Sequence, residues 1–195
     1  MEGKAERQLT IGRSLGWVNY TFHRSDSTAA LIPEDLLDWR PVDPAGGYQF
    51  SLAEIVMHIA DARRMFVCQL TGVDESPNYW SPAYWSPTAA DADIYKFKPY
   101  VSKHALLDSL AESRELFQPY LALPAPALLY TPPTGSVTFE RMLADYRAAG
   151  HDMTMLEQDG PPSIFHVLFM ACVHESGHRG TLHTLLRMQG LIEPE

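Results

Sequence analysis

The chain has 195 residues, 46% of them hydrophobic and 20% charged, enough for one compact domain with a substantial core. Its formal net charge is -9, with 24 acidic against 15 basic residues. Nucleic-acid and anionic-lipid surfaces rely on lysine and arginine to displace counterions, so this balance argues against both as partners. No segment approaches an uncharged membrane span, and MEGKAERQLTIGRSLGW lacks the apolar core of a signal peptide, so a cytoplasmic protein without membrane contact is expected. Cys68 and Cys172 each lie in an apolar helical pattern and read as small core residues rather than a disulfide pair.

Residues 4–24 place Leu9, Ile11, Leu15, Trp17, Val18 and Phe22 at helical spacings, which predicts a first amphipathic helix. Three prolines and a Gly-Gly pair then break the pattern over 31–50, with one helical turn expected at PEDLLDW. The second helix, SLAEIVMHIADARRMFVCQLTG, is the best marked. Ser51 and Glu54 form a capping-box signature, Leu52, Ile55, Ile59, Phe66 and Leu70 make its apolar stripe, and Gly72 can end it. Residues 73–100 carry the tandem YWSPAYWSP and read as a long ordered loop over one end of the domain, where Trp80, Tyr84 and Trp85 could line a pocket.

A third helix is predicted over SKHALLDSLAESRELFQPYLALP, with Ala105, Leu106, Leu110, Leu116, Phe117 and Leu121 as burial candidates. LPAPALLYTPPTG reads as a proline-rich connection, and VTFERMLADYRAAG as a shorter helix closed by Gly150. The final helix should start near Pro161 or Pro162 and stop at Gly190, and its nearly all-apolar first half marks it as the most buried helix. No alternating strand pattern competes. The expected fold class is therefore all-α, an antiparallel four-helix bundle with long connections and an extra short helix, an architecture that builds metal sites from facing helices.

Within the final helix, His174-Glu175-Ser176-Gly177-His178 spells HExxH, the zinc-protease pattern. Two histidines four apart lie about 40° apart around a helix and one turn along it, so both can reach one ion. They fall on a stripe with Val167, Met170, Ala171, Thr181 and Leu185, and so point inward. The metzincin extension fails, because Thr181 and Thr184 stand where it needs glycine and histidine, and His183 lies on the opposite face from His174. The gluzincin alternative needs a glutamate from a further helix, whereas the residues after His178 continue the same one. The pair could also be two core imidazoles bonded to backbone.

A third ligand should then lie upstream, and His58, at the edge of the second helix's apolar stripe, is the best placed. His166 is two turns from His174, too far along the axis, and His23, His104 and His151 sit near helix ends or in loops. Glu175 could serve as a catalytic base beside the metal-facing stripe, although an i,i+4 pair with Arg179 is the favoured alternative. Glu54 and Asp61 flank His58 and read either as acceptors orienting its ring or, preferably, as partly solvated acids.

A helical histidine in SLAEIVMHIADARRMF followed far downstream by HESGHRGTLHTLLRMQG resembles the DinB/YfiT-like metalloenzymes, whose signature is a distant histidine, HxxxHRG and a trailing LRxxG. His58, His174, His178-Arg179-Gly180 and Leu186 to Gly190 supply those positions, while the 73–100 and 130–160 segments look particular to this chain. The resemblance implies a four-helix bundle, usually a homodimer, in which three histidines hold a divalent metal and leave positions open to water or substrate. Some members are thiol transferases or isomerases that use mycothiol, bacillithiol or glutathione. The implied function is a thiol-dependent S-transferase acting on a small electrophilic molecule, with a metal-dependent hydrolase or a non-catalytic ligand-binding module as alternatives. Nickel or zinc heads the metals that three imidazoles suit, with iron, manganese and copper also compatible.

Overall fold

The computed structural model describes residues 2–45, 49–72, 102–133, 144, 147–148, 150 and 163–193, with side chains of the first helix described from Leu15 onward. The elements are α1 (Glu2–Ala29), a 3-10 turn (Glu34–Leu36), α2 (Leu52–Thr71), α3 (Lys103–Glu115), α4 (Gln118–Leu121), α5 (Ala125–Tyr130) and α6 (Ile164–Met188), and no strand occurs among the described residues.

The start of α2 leaves no backbone donor unmet. Glu54 N–H donates to Ser51 Oγ at 3.2 Å and Ser51 N–H to Glu54 Oε2 at 2.7 Å, completing the expected capping box. Leu52 N–H donates to Trp39 O and Ala53 N–H to Leu37 O, so the predicted turn at PEDLLDW hands the chain directly into the helix. Gly72 ends α2 in the left-handed region, with φ 75. Gly190 does the same after α6, where Gly190 N–H reaches Arg187 O and Leu191 N–H reaches Leu186 O, a Schellman closure.

Around the bundle the long helices are neighbours in the cyclic order α1, α6, α2, α3. Two core clusters give their directions. At one end Val18 and Phe22 of α1 meet Met65, Phe66 and Leu70 of α2, Phe117, and Ile164 to Ala171 of α6. At the other, Ala29 meets Leu52 to Ala60, Leu106 and Leu110, and Leu182 to Leu186. Hence α1 and α6 run one way and α2 and α3 the other, a two-up, two-down bundle rather than the fully antiparallel one expected. The connection from Gly72 to Ser102 therefore joins opposite ends, which accounts for its length, since parallel neighbours need a long crossover. The loop expected over 73–100, with Trp80, Tyr84 and Trp85, lies outside the described residues, as does most of the helix expected over 137–150; there, Ala144, Arg147 and Ala148 are helical and Gly150 has φ 86.

Several local expectations change. The first helix extends to Ala29, and Trp17 is 65% exposed where Leu15, Val18 and Phe22 face the core. The predicted third helix breaks after Glu115, because Pro119 lacks the N–H that would continue the ladder; Leu116 turns outward while Phe117 is buried. The expected connection after it contains α5, with Pro124 as N-cap, Pro126 in the first turn and Leu128 wholly buried. Among the described residues the most buried helix is α2, not α6: buried side chains run along α2 from Leu52 to Leu70, whereas Phe169 and Val173 of α6 are half exposed although α6 packs against α1, α2 and α5. Ser163 caps α6 through His166, whose Nδ1 accepts from Ser163 N–H at 3.2 Å.

All four long helices are joined by one arginine. Arg63, 1% exposed, donates from Nε and Nη2 to the two oxygens of Glu175 on α6 at 2.8 and 2.6 Å. Its Nη1 donates to Leu110 O of α3 at 2.7 Å, and its Nη2 also reaches Phe22 O and Asp26 of α1 at 3.1 and 2.9 Å. Asp26 in turn pairs with Arg114. The guanidinium lies 4.8 Å from the centre of the Phe22 ring. Burial opposes its charge, but the hydrogen bonds and charge of Glu175 and then of Asp26 prevail and raise its pKa. Breaking a buried pair by removing one partner strands the other charge, so Arg63→Met should cost about 3–5 kcal/mol in urea unfolding. The double variant R63M/E175L, which leaves no stranded carboxylate on α6, should recover most of that loss.

Candidate metal centre

His58 lies on α2 six residues beyond its first, and His174 and His178 lie one turn apart on α6. Because α2 and α6 pack side by side, the three rings converge. His178 Nε2 is 3.1 Å from His58 Nε2 and 3.1 Å from His174 Nε2, and the three ligand atoms all fall within 4.8 Å of one another. The ring centres are 4.3 to 5.3 Å apart, with Phe50 beside His58 and Phe66 beside His174. His58 is buried and the α6 pair is partly covered.

All three rings are held neutral. Burial drives the His58 pKa well below its ordinary value, and repulsion from His178 and His174 acts the same way. Burial, then repulsion from His178, lowers His174 to about 3, and burial lowers His178. A neutral Nε2 offers either one hydrogen or one lone pair, so His178 Nε2 cannot make a good hydrogen bond to both neighbours at once. An ion receiving three lone pairs removes that conflict. Nitrogens 3.1 Å apart are also the spacing of two ligands about 2.0–2.1 Å from one ion at an angle near 100°. The donor set therefore fits a divalent metal, and no carboxylate joins the group among the described residues.

The other sequence candidates separate from this cluster. Glu175 is 2% exposed and both its oxygens are taken by Arg63, so it pairs across the bundle instead of with Arg179. Glu54 and Asp61 are buried rather than solvated, Glu54 in the capping box and beside Arg40 at 3.3 Å, Asp61 3.6 Å from Arg64. His166 caps α6, His104 pairs with Asp108, His23 meets Arg114, and His151 lies outside the described residues. Cys68 and Cys172 are not joined in a disulfide. Arg63 was missed. Its signal was a charge interrupting the apolar stripe between Ile59 and Phe66, at a position that faces the core.

The chain is a helical bundle that gathers three imidazoles from two of its helices, within reach of one ion. The sequence profile of the DinB superfamily matches residues 19–182, and the chain belongs to that family. No curated protein and no solved structure matches it. No helix among the described residues is long and apolar enough to cross a membrane.

The lowered pKa values tie the metal-free protein's stability to pH. Above about 6.5 the imidazoles are neutral folded or unfolded; as pH falls through 6.5 the unfolded chain takes up protons that the folded one refuses, so stability is lost, and for His174 this continues toward about 3. Urea midpoints should fall between pH 7 and 5.5, above the range where carboxylates titrate, and fall less steeply in His174→Gln. Equal slopes would show that His174 is not held neutral by the fold.

Proposed function

We propose that the protein is a divalent-metal-dependent enzyme in which His58, His174 and His178 hold the ion, most consistent with a thiol-dependent S-transferase acting on a small electrophile. The observation that carries this reading is the meeting of three neutral Nε2 atoms from two helices. Three neutral ligands leave the full charge of a divalent ion uncompensated, and such an ion lowers the pKa of a thiol or water that reaches it. The chain's own part is to present three lone pairs without first releasing protons, and to orient the rings, with Phe50 beside His58 and Phe66 beside His174. The overall exchange is simple: the thiol gives up its proton to solvent, a sulfur electron pair forms the bond to carbon, and the leaving group departs with the electron pair of the carbon–leaving-group bond.

The fate of Glu175 favours a thiol over water as nucleophile. Hydrolysis by this kind of site commonly recruits a carboxylate base, and the one carboxylate next to the ligands in sequence is committed to Arg63. A thiol ionises far more readily than water and needs no such base. We therefore assign Glu175 to the ion pair rather than to proton transfer. The homodimer implied by the family resemblance and the cytoplasmic location expected from the sequence belong to this proposal, as does nickel or zinc as the ion.

Elemental analysis of the purified protein beside His58→Ala and His174→Ala tests the site: near-stoichiometric metal in the parent should be lost in both. With metal loaded, the protein should consume glutathione, mycothiol or bacillithiol in the presence of a chlorinated aromatic, and His58→Ala should not. An inert parent across that thiol panel, with esters or lactones cleaved instead, would move the assignment to a hydrolase.

A further inference from the structure

We infer that the Arg63–Glu175 pair is the positioning element of the three-histidine site, setting the rotation and register of α6 against α2. The inference rests on the metal reading above. Neither residue needs to touch an ion or a substrate for this role; both act through the histidines.

The placement of the pair is the first support. Glu175 follows His174 directly and precedes His178 by three residues, while Arg63 follows His58 by five. The same two helices are thus joined twice within about a turn and a half, once through imidazoles and once through the ion pair. The two joints lie on different faces of α6, because successive residues are about 100° apart around a helix. Two joints at different angles define a rotation, which one joint alone leaves free.

The tolerance required is the second support. An imidazole Nε2 extends to roughly 6–7 Å from its helix axis, so a 10° turn of α6 moves it about 1 Å, whereas ligand distances must hold to about 0.2 Å. Leucine contacts do not resist a turn of that size sharply, since apolar packing has no preferred direction. A bidentate guanidinium–carboxylate fork does, because both hydrogen bonds must stay linear and in one plane. The fork is itself immobile: Arg63 is also bound to Leu110 O on α3 and to Phe22 O and Asp26 on α1, so α6 is indexed against the whole bundle.

The burial of the pair is the third. Arg63 and Glu175 are 1% and 2% exposed, and an ion pair this deep is a weak source of net stability compared with well-packed hydrocarbon. What a directional pair adds to hydrocarbon packing is a hydrogen-bond geometry that fixes orientation.

The test separates geometry from stability. R63M/E175L replaces the fork with apolar side chains, and Glu175→Gln keeps the shape while removing the charge; circular dichroism and urea unfolding report whether each is folded. Cobalt(II) alone is the probe, read by its visible d–d absorption and by titration, in the parent, His58→Ala and both variants. The expected result is a folded double variant that binds cobalt(II) about 10–100-fold more weakly than the parent, with a shifted or broadened spectrum. Glu175→Gln should fall between the two. A folded double variant with parental affinity and spectrum overturns the positioning role while leaving the metal site intact. Failure of the parent itself to bind cobalt(II), nickel(II) or zinc(II) overturns the metal reading and this inference with it. If the double variant does not fold, Glu175→Gln decides by the same two readouts.

Discussion

Arg63 occupies a position on α2 where the helical period calls for leucine, and the cost of burying its guanidinium dictates what the neighbouring helices must supply. Of its three nitrogens, Nε meets Glu175, Nη1 meets a carbonyl of α3, and Nη2 serves α6 and α1 together. Arg114 brings a second positive charge to Asp26, so the group holds two guanidinium and two carboxylate charges and adds no net charge to the interior. A buried arginine without these partners would be untenable. The bundle is consequently organised around polar geometry at its centre and around hydrocarbon at its two ends, where the separate apolar clusters lie.

That arrangement keeps two chemistries apart within a short distance along the chain. A carboxylate adjacent to His174 in sequence would, if turned toward the rings, favour protonated imidazole and compete with a metal for the nitrogen lone pair. Facing Arg63 instead, Glu175 has both carboxylate oxygens engaged by the guanidinium. Phe50 lies beside His58 and Phe66 beside His174, and neutral imidazole is the form that can donate a lone pair.

Features encoded locally were legible from sequence. The capping box at Ser51 and Glu54, the glycines that end α2 and α6, and the inward pairing of His174 with His178 all depend on residues within a few positions of one another. Choosing His58 as the third member required only its helical face and the existence of a waiting pair. The pairing of Arg63 with Glu175 was beyond reach because the partners of Arg63 lie 37 to 112 residues away; a charge on the core-facing side of α2 marks the position without naming what meets it. The relative burial of α2 and α6 failed for a related reason: composition records how apolar a helix is, whereas burial depends on which of its faces are covered, and Phe169 and Val173 of α6 lie on an open one. The sequence implied an antiparallel bundle from its four long helices alone, and the long connection from Gly72 to Ser102 permits the parallel pairs that the helices themselves do not announce.

The two joints between α2 and α6 close loops of 120 and 112 residues. Contacts across such separations cost more closure entropy than those between residues near in sequence. The three rings come together where α6 packs against α2. By the same logic α6 cannot peel away locally and leave the site half made: its departure removes two of the three imidazoles, the Glu175 carboxylate and one wall of both apolar clusters in a single event. Competence of the site is thus acquired and lost as an all-or-none property of the assembled bundle.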